Sequence, residues 1–113
     1  MTTVELEITR TARRHLAIRK ICHYNGPTDS LIGPVMMPHM CIETDISTTA
    51  TVDTTIAEIA RGAGTRGTQI TRITVHGKPY PRAKAEAAIR SWLRGHMAYA
   101  IPASLAAIAT LPA

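Results

Sequence analysis

TIAEIARGAGTRGTQITRITVHG, residues Thr55 to Gly77, is the stretch on which the reading of the chain turns. Ile56, Ile59 and Ala60 fall at helical spacing and Ala63 extends the same stripe, which predicts a first short helix with one apolar face. Gly64 then stands where a helix commonly ends on a residue with positive φ. Thr65, Arg66 and Gly67 form the expected turn. Ile70 and Ile73, three apart, give a second helix its buried side, and Thr68, Gln69, Thr71 and Arg72 its outer side. A second reading stays open over the same residues, because TQITRITV is rich in β-branched side chains, which favour a strand.

The offsets Ile59-Ala60, Ala63-Gly64 and Ile70-Thr71-Arg72-Ile73, followed by Gly77-Lys78, resemble the helix-turn-helix of bacterial and phage repressors, of lactose-repressor-headpiece or Cro/phage-immunity-repressor type. The continuation Lys78-Pro79-Tyr80-Pro81 into AKAEAAIRSWL is similar to the entry of the third helix of those families, so the resemblance spans residues 55–95. It implies a DNA-binding transcriptional regulator acting as a dimer on an operator. Thr68, Gln69, Thr71 and Arg72 would then contact bases, and Thr55, Arg61, Arg66, Lys78, Arg82 and Lys84 would hold phosphates. With TQITRITV as a strand, the order strand, helix, strand looks instead like a β-grasp. That order implies a protein-binding module, such as a phage-encoded inhibitor of a host protein or an assembly component.

Charge supports a polyanionic partner. The 113 residues carry 13 Lys and Arg against 8 Asp and Glu, a formal charge of +5. Eight basic residues and one acid, Glu86, lie between Arg61 and Arg94, whereas residues 40–60 hold four acids and no Lys or Arg. The core must come from Ile, Leu, Met and Ala, since there is no Phe, one Trp and three Tyr. A three-helix unit of about 40 residues is near the lower size limit for independent folding, so a homodimer is expected.

Upstream, Val4, Leu6 and Ile8 alternate with Glu5, Glu7 and Thr9, which predicts a half-buried strand. Residues 14–24 suit a strand or a helix, with a hairpin turning at Thr11 to Arg14 preferred. Asn25 to Pro38, with Gly26-Pro27, Gly33-Pro34 and Pro38, reads as a loop. Its Leu31, Ile32, Val35, Met36 and Met37 either cap a core or form a protein contact surface. Met40, Ile42 and Ile46 alternate with Cys41, Glu43 and Asp45 in a further strand with an acidic outer face.

Downstream, Asp53 or Thr54 offers an N-cap, and Ala85, Ala88, Ile89, Trp92 and Leu93 form the buried stripe of a helix opened by Pro81 and ended by Gly95. The expected fold class is therefore α+β. A β-rich part at residues 1–50 precedes a helix-turn-helix unit at 51–97 and an apolar, helical tail at 98–113. The boundary falls at Ser47 to Val52.

Other chemistry finds little support in the residues. Cys22-His23 and His39-x-Cys41 are metal-ligating types, but zinc sites space the two ligands of each pair by a few residues, so half-buried strand positions are expected instead. There is no nucleophile elbow, phosphate-cradling glycine loop or paired carboxylate, so neither enzyme activity, a cofactor, a metal nor a small-molecule ligand is expected. The first residues lack an apolar leader, the tail MAYAIPASLAAIATLPA is interrupted by Pro102, and two cysteines without secretory context point to a reducing cytoplasm and away from a membrane.

Overall fold

The computed structural model describes residues 2–24 and 39–113. Leu31, Ile32, Val35, Met36 and Met37, the expected apolar contact surface, lie outside them. The chain runs β1 (Thr2–Ala12), β2 (His15–Tyr24), β3 (His39–Ser47), α1 (Val52–Arg66), β4 (Gln69–Val75), β5 (Lys78–Pro79) and α2 (Arg82–Leu93). A single 3-10 turn (Ala98–Ala100) then leads into α3 (Ile101–Ala107). One five-stranded sheet has the order β3-β2-β1-β4-β5, with β1 parallel to β4 and the other pairs antiparallel.

This architecture corrects the expected helix-turn-helix unit. Residues 52–66 are one helix, Gly64 lies inside it, and the chain reverses at Gly67, whose φ is 69°. Gln69–Val75, expected as the recognition helix, is β4 in the interior of the sheet. Ile70, Thr71, Ile73, Thr74 and Val75 are all β-branched, so a helix would crowd their side chains, whereas a strand beside β1 accommodates them.

The helical spacing of Ile70 and Ile73 has a different cause. In the β1–β4 pairing, Val4 faces Ile70 but Glu5 faces Arg72, so Thr71 is an extra residue in the ladder. A bulge of this kind puts residues three apart on the same face. Both isoleucines are thereby buried without any helix. Helix α2 is the one helix that follows β4 and β5 within the expected unit, so no three-helix unit forms; the alternative order strand, helix, strand is present as β3, α1 and β4.

Local signals account for the element ends. Thr51, rather than Asp53 or Thr54, caps α1: its hydroxyl accepts from the Thr54 N–H at 3.1 Å, and the Thr54 hydroxyl accepts from the Thr51 N–H at 3.0 Å. β1 and β2 pair from Thr2↔Tyr24 to Ala12↔His15 around a tight turn at Arg13 and Arg14. Alternation then sends Val4, Leu6, Ile8, Leu16 and Ile18 to one face, where they form a single cluster with Ile56, Ala57, Ala60, Ile70, Ile73, Ile89, Leu93, Ile108 and Leu111. The parallel pair β1–β4 joins residues on both sides of position 50, and the apolar tail packs into the same cluster. Among the described residues, no helix is long and apolar enough to cross a membrane.

Small residues set the closeness of the helical layer. A Cβ on Gly64 would lie 2.6 Å from the Ala103 carbonyl carbon, so α1 and α3 meet backbone against side-chain-free backbone. Gly62, on the same helix, would meet only the Arg66 guanidinium, at 3.6 Å. The buried Tyr80 hydroxyl donates to the Asp53 carboxylate and so ties the chain after β5 to the start of α1.

Two outcomes follow from these contacts. Gly64→Ala is expected to destabilise the fold by about 1–3 kcal/mol, because α1 and α3 must separate; Gly62→Ala, with room for its methyl group, is expected to gain about 0.5–1 kcal/mol. Urea unfolding of the two variants checks this opposition of sign.

Burial and, after it, the bond to Asp53 raise the Tyr80 phenol well above its ordinary value of 10.0. The folded-state value exceeds the unfolded one, so this contribution to stability is complete below about pH 10 and is lost as pH rises beyond it. Alkaline absorbance titration is expected to show Tyr80 ionising only as the chain unfolds, and Tyr80→Phe is expected to flatten the alkaline decline in unfolding midpoint.

Candidate functional site

The helical layer covers only part of the sheet. Leu6, Ile8, Ile70 and Ile73 of β1 and β4 are fully covered by the helices and tail. On the same face of β2 and β3, Lys20 and Cys22 are half-buried, Ile46 is half-buried, and Met40 and Ile42 remain 37% and 41% exposed. Two depressions run along α1 above this uncovered half and share Ile59. One, of about 660 Å³, is lined by Ile18, Ile46, Thr55, Glu58 and Trp92 among others; the second, of about 430 Å³, includes Val4, Lys20, Cys22, Ile42 and Arg66. Together they form an apolar groove with basic side chains at the Arg66 end and Glu58 at the other.

At the outer side of this groove lies β3, an edge strand of nine residues. Its register with β2 is unbroken from His15↔Ser47 to His23↔His39. Edge strands ordinarily carry charged side chains, a proline or a bulge that discourage further pairing; β3 has no proline or bulge, and its charges, Glu43 and Asp45, are acidic. Among the described residues, no strand pairs with its outer edge.

The opposite, open face of the sheet is a polar lattice. Arg19 reaches Glu7 at 3.2 Å, Glu43 at 3.4 Å and the Cys41 sulfur at 3.2 Å, and the Cys41 and Glu7 hydrogen bonds hold its guanidinium above its ordinary value. His15 Nδ1 lies 3.3 Å from Asp45. Further along, Glu5, His23 and His39 stand in a row across β1, β2 and β3. Cys41 lies on this face, while Cys22 belongs to the groove, so the sheet separates the two thiols.

The expected base-contacting residues do not share one surface. Thr68 is 8% exposed beyond the Gly67 turn, and Gln69 is half-buried with its Oε1 buried and unpartnered among the described residues. The Thr71 hydroxyl donates to the Val4 carbonyl at 3.5 Å, and Arg72 projects from β4 opposite Glu5.

The expected phosphate contacts are dispersed as well. Thr55 donates to the Thr51 carbonyl at 2.9 Å, Arg61 is paired with Glu58 at 3.0 Å, and Arg66 is exposed in the last turn of α1. Lys78 stands in the β4–β5 hairpin, Arg82 lies 3.9 Å from Glu86, and Lys84 sits 5.4 Å from the centre of the Tyr80 ring.

What the residues do bring together is the groove, and its members Ile59, Glu58 and Trp92 were not singled out as a site by the sequence. Trp92 is 40% exposed rather than buried in the α2 stripe, and its indole N–H donates to Glu58 at 2.9 Å. The one available sequence signal was the alternating strand at 40–46, whose apolar side had no assigned cover. No protein-family model, curated protein or solved structure matches the chain.

The Trp92 bond and, after it, Arg61 hold the Glu58 carboxyl below its ordinary value of 4.5. A depressed folded-state value contributes stability above the unfolded one, and that contribution is lost as pH falls through the folded value. Trp92 is the single tryptophan. Its fluorescence is expected to titrate with a midpoint below 4.5, the ordinary Glu58 value, and Glu58→Gln is expected to abolish this transition.

Proposed function

We propose that this chain is a protein-binding module that takes an extended segment of a partner protein onto the outer edge of β3. The observation that carries the reading is the conjunction, on one nine-residue edge strand, of an outer edge and an apolar side that nothing among the described residues covers. Addition of a strand supplies the main-chain hydrogen bonds, and alternate side chains supply specificity.

The chemistry of β3 describes the segment that fits. Side chains projecting toward the groove meet Met40, Ile42 and Ile46 and are apolar; those projecting to the other face meet Glu43 and Asp45, exposed by 74% and 63%, and are basic. An extended segment alternating apolar residues with Lys or Arg is therefore the committed ligand class. Cytoplasm suits the free thiols Cys22 and Cys41. The operator-binding expectation is not carried forward, because the element meant to read bases is β4, a strand in the interior of the sheet.

A random peptide library displayed against the full chain, with Ile42→Lys as counter-selection, tests the reading. Enrichment of alternating apolar and basic segments that bind Ile42→Lys at least about tenfold more weakly, or about 1.4 kcal/mol, is expected. A double variant Glu43→Lys/Asp45→Lys is expected to reject the same peptides. No enrichment, selected peptides with helical spacing, or a wild-type dimer that Ile42→Lys dissociates would each overturn it, the last by assigning the edge to a second copy.

A further inference from the structure

The row Glu5, His23, His39 lies on the open face, away from the groove, and its geometry stands apart from the docking reading. β2 and β3 place His23 directly opposite His39. Their Nδ1 atoms face each other at 2.7 Å, with ring centroids 4.8 Å apart and ring planes at 77°. On the far side of His23, Nε2 lies 3.0 Å from the Glu5 carboxylate. The side chains of His23 and Glu5 are 27% and 30% exposed, and His39 is exposed.

Proton accounting at this row leaves a donor pair. A neutral imidazole carries one N–H, and Glu5, an acceptor, takes the one on His23 Nε2. His23 Nδ1 is then a lone pair aimed at His39. His39 meets it either with its own Nδ1–H, giving the hydrogen bond, or with its proton on the solvent-facing Nε2, giving a second lone pair. In that second tautomer two unprotonated imidazole nitrogens stand side by side, and the carboxylate behind His23 fixes its tautomer and orientation, as carboxylates behind metal-bound histidines do.

With metal–nitrogen bonds of about 2.0–2.1 Å, two imidazole nitrogens on one ion stand about 2.9–3.4 Å apart. The pair, now 2.7 Å apart, reaches that spacing by small rotations of the two rings. Imidazole suits divalent first-row ions, and Cu(II) leads their affinity order. Among the described residues no set of three His, Cys, Asp or Glu side chains converges, so His23 and His39 are the two protein ligands named.

We propose that His23 and His39 form a two-nitrogen chelation site for a divalent transition-metal ion such as Cu(II), with Glu5 as the positioning residue behind His23. Binding joins β2 to β3 at the Tyr24 and His39 ends of the two strands.

Titration of the full chain with Cu(II), followed by electron paramagnetic resonance, tests this. One ion with hyperfine coupling from two imidazole nitrogens is expected at neutral pH. His23→Ala and His39→Ala are each expected to weaken binding at least about tenfold and to remove the two-nitrogen pattern, Glu5→Gln to weaken it by about tenfold, and His76→Ala to leave it unchanged. In the unaltered chain, Zn(II) is expected to bind more weakly than Cu(II) and to shift the ring protons of His23 and His39 and not those of His15, His76 or His96. An unchanged Cu(II) spectrum in His39→Ala, shifts spread over all five histidines, or no bound ion would overturn the assignment.

Discussion

The parallel pairing of β1 with β4 is the constraint from which the remainder of this structure follows. A parallel pair cannot be joined by a tight turn, so the chain between its members must cross over the sheet, and α1 is that crossover. Because β1 also pairs with β2 on its other side, it becomes the central strand, with its apolar residues Val4, Leu6 and Ile8 beneath the helical layer. Without the β1–β4 ladder, the hairpin and the helices would share no core.

The helical layer is compact for a related reason. Ala57, Ala60, Ala63 and Gly64 on α1 are small, so α3 approaches it backbone to backbone, and Ile108 and Leu111 beyond α3 close the core. Close packing draws the helices together over β1, β4 and the Leu16 to Ile18 part of β2, and leaves Met40 and Ile42 of β3 outside the helical layer. The groove beside Ile59 and the exposure of Met40 and Ile42 are thus consequences of side-chain size on α1, not of any feature of β3 itself. On the other face, the alternation of β1, β2 and β3 collects Glu5, Glu7, Arg19, His23, His39 and Glu43.

Much of the local structure was legible. Alternation marked the strands containing Val4 to Ile8 and Met40 to Ile46, and the stripe Ala85, Ala88, Ile89 and Leu93 marked α2. What misled was Ile70 and Ile73, because an i, i+3 pair is produced equally by a helical turn and by a strand with one bulged residue. The β-branched content of 68–75 pointed the right way, and it reflects a steric cost that acts locally. The candidate site was less legible, since a groove exists only where two elements fail to meet. His23 and His39, sixteen residues apart in sequence, become neighbours only through a strand register.

By itself, then, the sequence determined which residues are apolar on alternate positions and, through its β-branched content, that 69–75 prefers an extended backbone; these are set by side-chain sterics, whereas the helix end expected at Gly64 falls at Gly67. The tertiary structure alone decided which strand lies beside which, and so which face of β3 is left bare and which histidines meet. Pairing between distant strands depends on the whole core finding one arrangement that buries its apolar faces together, and no local window of the chain contains that information.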